Sequence, residues 1–271
     1  MQRAPPPCIL VVANGSRVDK ALTEAIGARP RVRVAFQRQG SLPAAMRYGR
    51  SLVETPLFGF LDDDDEYLPD ALDIRVACMS ADPSVDVVAT NGYTSTGGVD
   101  RIRHEHPECA AADPLHALIR ENWLASCGGL YRSARVPIDF FDGVTRHYEW
   151  TVLAYKLAAA RKVLYVNKPT FRVYDSPGSL SKSHEFRTAE PDVLEQILAL
   201  PNLPTDLKHA LRRKIGRAHH GLSTMYLASG DRRAAMKHHM ASLVAPGGLS
   251  FLLYTRRLLP FWPQRSSAGS P

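Results

Sequence analysis

The segment PLFGFLDDDDEYLPDAL, residues 56–72, carries the densest information in the chain. Its first six residues are short and mostly apolar, which predicts a buried strand over 56–61. Four aspartates, Asp62 to Asp65, follow at once. Pro69 then suits the first turn of a helix from about 69 to 81. This order puts the carboxylates at the C-terminal edge of a sheet, where open α/β sheets bind ligands. In extended backbone, residues i and i+2 share a face. Asp62 and Asp64 are therefore expected to point together and Asp63 away. Two carboxylates at ~4 Å repel by about 4 kcal/mol at an effective dielectric of roughly 20. A cation relieves that repulsion, and hard oxygen donors suit Mn²⁺ or Mg²⁺. A solvated acidic loop is the plainer alternative.

Strands and helices alternate on either side of this segment. CILVVA (8–13) is a short apolar run closed by Asn14-Gly15-Ser16, which predicts a strand and a turn. Val18, Leu22 and Ile26 stand at helical spacing before Gly27. RVRVAFQ (31–37) alternates like a strand, and 43–54 is expected to be helical. VDVVAT (85–90) and VLYVN (163–167) are further strands, and 148–160 is a helix. The small residues of LASCGGLYR (124–132) allow backbones to approach closely. This alternation predicts an α/β layered domain with a largely parallel sheet. From about residue 190 the pattern turns all-helical. Leu207, Leu211, Ile215, Ala218, Leu222 and Met225 line one face, Gly230 breaks the helix, and Asp231 caps the next.

The chain has 271 residues, 45% of them hydrophobic and 23% charged, which excludes a disordered or disulfide-scaffold protein. No apolar run approaches the ~20 residues that span a bilayer, and the apolar stretch after Pro7 is too short for a signal peptide. Cys8, Cys78, Cys109 and Cys127 are scattered without a CxxC pair, so a reduced, cytoplasmic protein is expected. Charge is uneven. Of the net +7, residues 201–271 carry +9 and the rest −2. A basic tail on a near-neutral body points to an anionic partner or to solubility alone.

Six segments in order resemble the bacterial family-2 inverting glycosyltransferases with a GT-A fold. VVANGSR (11–17) is similar to the family's VVDDGSxD, and RVRVAFQRQGSLPAAMRYGR (31–50) to its RVRxIxQxNxGxxxARNxG. PLFGFLDDDDEYLPDAL (56–72) is similar to FLDxDDxxxPxxL, the DxD motif. LASCGGLYRSARV (124–136) looks like the acceptor-side segment, and 147–183 like the "EDxDLW…PGSLS" block. YLASGDRRAAMKHHMASLVAP (226–246) resembles the helices often appended to these enzymes. The resemblance implies a Rossmann-like GT-A sheet over residues 1–190 and a basic helical extension over 191–271. The chain is expected to start at the family's second strand.

The resemblance also implies roles. An acceptor hydroxyl attacks an anomeric carbon as a nucleoside diphosphate leaves. Asp62 and Asp64 would hold Mn²⁺ or Mg²⁺ against the diphosphate, with Asp63 and the nearby Asn14, Ser16 and Arg17 at the donor. Ala13 and Asn14 replace the two acids of DDGS, the first of which reads uracil in the family. Arg47 stands where the family has Asn and could pair with a phosphate. Glu149 matches the first acid of the ED pair and is the candidate base, Trp150 replacing the second. A helix N-terminal acid is the plainer reading of Glu149. His184 follows GSLSKS, whose loop meets metal or diphosphate in relatives. Asp65 is expected to bond within the motif or at the acceptor.

The implied partners are a UDP- or GDP-sugar donor and a glycan or lipid-linked acceptor. The segment 249–262 has two readings. It packs as a plain helical extension, or it lies on the inner face of an anionic membrane. In the second reading Arg256 and Arg257 face headgroups, and Phe251, Leu252, Phe261 and Trp262 dip in. His219-His220 and His238-His239 are placed on helical surfaces with no metal site, because adjacent residues do not share a helix face. No nucleic-acid partner is expected, since the tail lacks a stacking platform. A degenerate, non-catalytic binding protein is the main alternative. A nucleotidyltransferase ranks below it, for want of a Gly-rich phosphate loop.

Overall fold

The apolar run at the N-terminus forms β1 (Ile9–Asn14), which pairs in parallel with β2 (Val32–Gln37). The crossover between them is α1 (Lys20–Gly27), started by the Asp19 side chain, which accepts from Leu22 N at 3.0 Å. The computed structural model describes residues 7–16, 18–175 and 183–259. Next come α2 (Leu42–Ser51), β3 (Leu57–Gly59), β4 (Glu66–Tyr67), α3 (Ala71–Ala81), β5 (Val87–Thr96) and β6 (Val99–Ile102). Short helices α4 (Pro107–Ala112) and α5 (Pro114–Ala117) lead to β7 (Gly129–Arg132), α6 (Glu149–Ala160) and β8 (Val163–Tyr174).

Among the described residues, six strands form the main sheet in the order β3-β7-β5-β8-β4, with β6 on β5. The expected largely parallel sheet is corrected here. Among the described residues only β5–β8 pairs in parallel within it, and β3–β7, β5–β7, β5–β6 and β4–β8 are antiparallel. The reason lies in the connections. β5 returns through the Gly97-Gly98 hairpin, both glycines at positive φ, and β7 enters from irregular chain rather than from a crossover helix. β5 is the central strand, buried from Val87 to Gly92. Met79 of α3, Val85, Val88 and Leu130 form a core cluster against it. α6 is apolar nearly all round and buries Val152, Leu153, Ala154, Tyr155 and Leu157.

The chain divides into two compact units, Met1–Leu180 and Ser181–Pro271. The second unit contains α7 (His184–Leu198), α8 (Thr205–Ala228), α9 (Arg232–Val244), a 3-10 turn (Gly248–Tyr254) and α10 (Thr255–Leu258). α8 buries Leu207, Leu211, Ala218 and Leu222, as its spacing predicts, with Gly216 and Ser223 in place of Ile215 and Met225. Gly230 turns the chain at φ 86°, and Asp231 accepts from Ala234 N at 2.9 Å. Ser223 Oγ donates to Ala235 O at 2.8 Å, tying α8 to α9. The surface placement of the paired histidines is corrected. His239 is fully buried, and the His219 and His238 Nδ1 atoms meet at 3.0 Å. Among the described residues, no helix is long and apolar enough to cross a membrane.

Candidate active site

Asp62 to Asp65 form a turn, closed by Asp65 N donating to Asp62 O at 3.2 Å. β3 ends at Gly59, so the expected extended geometry through Asp64 does not hold. Turn geometry achieves the grouping instead. Asp62, Asp64 and Asp65 each offer an oxygen, and these atoms lie within 4.8 Å of one another. Asp65 joins the pair expected from spacing, and exposed Asp63 stands outside the trio.

The turn is anchored from below. Asp65 Oδ2 accepts from Ser126 Oγ at 3.1 Å and from Cys127 Sγ at 3.5 Å. Its other oxygen accepts from Tyr174 N at 3.4 Å. The Cys127 thiol stays protonated and able to donate, because burial pushes its pKa up to about 12. Tyr67 Oη donates to Phe60 O at 2.7 Å and so fixes the approach to the turn. Under the Tyr67 ring lies Arg75, its guanidinium 4.9 Å from the centroid. Arg75 is fully buried and donates to Thr90 Oγ1 at 3.2 Å and Thr170 Oγ1 at 2.5 Å. A buried cation without a carboxylate is costly. Burial accordingly lowers the Arg75 pKa. Tyr67 feels the charges of both Arg75 and Asp62.

Burial raises the Asp62 carboxyl to about 6, with Asp65, Asp64 and Asp63 pushing the same way and the Ser126 hydroxyl opposing. Asp65 is raised by burial too. Carboxylates held close and partly desolvated form the kind of all-oxygen donor set that a hard divalent cation fits.

Glu149 opens α6 and is 7% exposed. Its neighbour Trp150 packs edge-on against Phe60, ring centroids 5.3 Å apart. Phe60 lies two residues before Asp62, so the first turn of α6 abuts the approach to the acidic turn. Arg47, on α2, pairs with Asp142 Oδ1 at 2.5 Å, both side chains about half exposed. Asn14 ends β1 and accepts from Ser41 N at 3.1 Å, just ahead of α2. Ser16 is exposed beyond Gly15, which sits at φ 97°. His184 begins α7 in the second unit, and its ring meets Tyr226 edge-on at 5.8 Å. Arg17, the 176–182 stretch of the PGSLSK loop, Phe261 and Trp262 lie outside the described residues. Phe251 stacks on His220 at 4.1 Å, which corrects its expected outward orientation.

Sequence reasoning did not single out Arg75, Tyr67, Ser126 or Cys127 for the site. A signal existed for Arg75. It takes the middle place of Ala71-Arg75-Met79, the buried face of α3, where a charge is out of pattern.

The model of glycosyl transferase family 2 matches residues 2–146, more than half of the chain. The chain belongs to that family. Among curated proteins, none matches it. Among solved structures it is similar to TarS 1-349 of S. aureus in complex with UDP-GlcNAc. The identity is 15% and the TM-score 0.62, over 92% of this chain and 75% of that one. The same TarS fragment with UDP gives 17% and 0.54, over 80% and 63%. TarS itself gives 17% and 0.53, over 78% of this chain and 37% of TarS. The fold is thus GT-A, with the acidic turn in its DxD segment and Glu149 three residues beyond the family match.

Proposed function

We propose that this chain transfers a sugar, with inversion, from a nucleotide-sugar to a glycan or lipid-linked acceptor. The observation that carries the reading is the trio Asp62, Asp64 and Asp65 in a family-2 domain. Asp62 and Asp64, with Asp65 beside them, would hold Mn²⁺ or Mg²⁺. When bound, the ion offsets charge on the departing diphosphate. Asp65 keeps the turn in register through Ser126, Cys127 and the Tyr174 amide. Glu149 takes the proton of the attacking hydroxyl, its helix turn seated on Phe60 through Trp150. Asn14 and Ser16 line the donor end, together with Asp63. Arg47 reaches a phosphate by exchanging Asp142 for it, a small cost for a half-exposed pair. TarS in complex with UDP-GlcNAc and with UDP supports a uridine donor, and a GDP-sugar is the alternative. The chain works at the cytoplasmic side of a membrane, which its basic C-terminal unit touches.

Calorimetric titration of UDP and GDP, with and without Mn²⁺, tests this reading. Metal-dependent binding of one nucleotide is expected, and Asp64→Ala should weaken it at least tenfold. If neither nucleotide binds, the donor reading fails and a non-catalytic binding role takes its place.

A further inference from the structure

The 3-10 turn Gly248–Tyr254 runs straight into α10, and contacts settle which face of this segment points inward. Phe251 stacks on His220 at 4.1 Å, and Tyr254 meets the same ring edge-on at 4.8 Å. Thr255 Oγ1 and His239 Nε2 share a hydrogen bond of 2.8 Å, and Leu258 is buried. Positions 251, 254, 255 and 258 recur at helical spacing and face α8 and α9. Among the described residues, the other face is apolar and exposed. Leu249 is 78% exposed, Leu252 55% and Leu253 75%. Arg256 and Arg257 follow, both exposed. Val244, the last residue of α9, is exposed as well. A single exposed leucine needs no explanation. Three on one face beside two arginines have the composition of an interfacial segment.

We propose that this face docks on an anionic lipid surface. Leu249, Leu252 and Leu253 enter the acyl boundary, and Arg256 and Arg257 meet the headgroups. The proposal specifies the membrane contact named above and is independent of sugar transfer. Charge favours lipid over a second copy of the chain. Residues 201–271 carry net +9, so two such faces bring like charges together, whereas an anionic leaflet supplies the opposite sign. The inward Phe251 is excluded from the lipid-facing set, and Leu249 and Leu253 replace it.

The test is sedimentation of the full chain with vesicles of phosphatidylcholine alone or with one part phosphatidylglycerol in three. Binding is expected only to the anionic vesicles. Leu252→Asp/Leu253→Asp should cut it about tenfold or more. Arg256→Gln/Arg257→Gln should weaken it and flatten its salt dependence. Leu252 and Leu253 are exposed, so thermal melts of the aspartate pair should match wild type. Wild type left in the supernatant with both vesicles overturns the proposal, as does full binding by the aspartate pair. A dimer in light scattering that the aspartate pair dissociates, with no vesicle binding, assigns the face to a second copy and also overturns it. UDP titration of the wild-type chain beside its vesicle assay separates the two readings. Intact nucleotide binding without vesicle binding sinks the lipid surface alone, and the reverse sinks the donor site alone.

Discussion

His104 shows what burial does to a titratable side chain in this domain. It is 2% exposed, shares a 2.9 Å hydrogen bond with the Tyr165 hydroxyl, and has a buried Nε2 without a partner among the described residues. Burial, with help from Arg103, lowers its pKa from the usual 6.5 to about 3. The folded chain therefore holds this ring neutral, while the unfolded chain protonates it first. The site's contribution to stability is whole above about pH 6.5 and is lost as pH falls from there towards 3. By pH 5 the loss is about 2 kcal/mol, and it depends on the unfolded pKa rather than on the depth of the folded one. Urea unfolding at pH 7 and pH 5 checks this. His104→Phe, which has nothing to protonate, should show a pH-dependent loss smaller by about that amount. Equal losses in the two proteins would remove His104 as the cause. Single residues of this kind were the least legible in the sequence. His104 and Arg75 are polar side chains at positions whose burial comes from strands and helices distant in the chain, and local patterning does not encode that. Asp62 and Asp64 were legible because four acids after an apolar run are conspicuous locally.

Gly216 sets two helix effects against each other. It lies within α8, where replacing Gly by Ala gains about 1 kcal/mol of helix propensity. A Cβ there would stand 2.5 Å from the Ala245 Cβ, just past the end of α9. Overpacking of that kind costs about 1–3 kcal/mol, so the clash should win. Gly216→Ala is expected to lower stability. Adding Ala245→Gly should restore it, with a coupling energy that a double-mutant cycle reads directly. Stabilisation by Gly216→Ala alone would show that the helices spread apart at little cost. Elements were far more legible than residues. The 3.6-residue spacing of Leu207, Leu211, Ala218 and Leu222 and the cap at Asp231 come from contacts within one helix. Strand direction was not legible. Nothing in GGLYR (128–132) says that β7 runs antiparallel to β5, because that depends on how the long connection before it returns. The acidic turn shows the same limit. Period-2 geometry put Asp62 beside Asp64, whereas a hydrogen-bonded turn does so and also brings in Asp65.

At the scale of the molecule, order and spacing carried the reading. No single motif here is decisive. Ala13, Asn14, Arg47 and Trp150 all depart from the family pattern, yet six segments in sequence identified a domain that the family match and the GT-A fold bear out. The chain's two compact units make the donor site testable without an acceptor. Asp62, Asp64 and Asp65 belong to the first unit, while α8 and α9 belong to the second. A ligand stabilises only the cooperative block that contains its site, by about 2.7 kcal/mol at a hundred times its dissociation constant. Differential scanning calorimetry with Mn²⁺ and UDP together should raise the transition of the first unit and leave that of the second in place. Asp64→Ala should abolish the shift, and Gly216→Ala should lower the other transition alone. If UDP and Mn²⁺ moved the second transition and not the first, the donor site would lie in the helical unit. The acidic turn would then be a solvated loop.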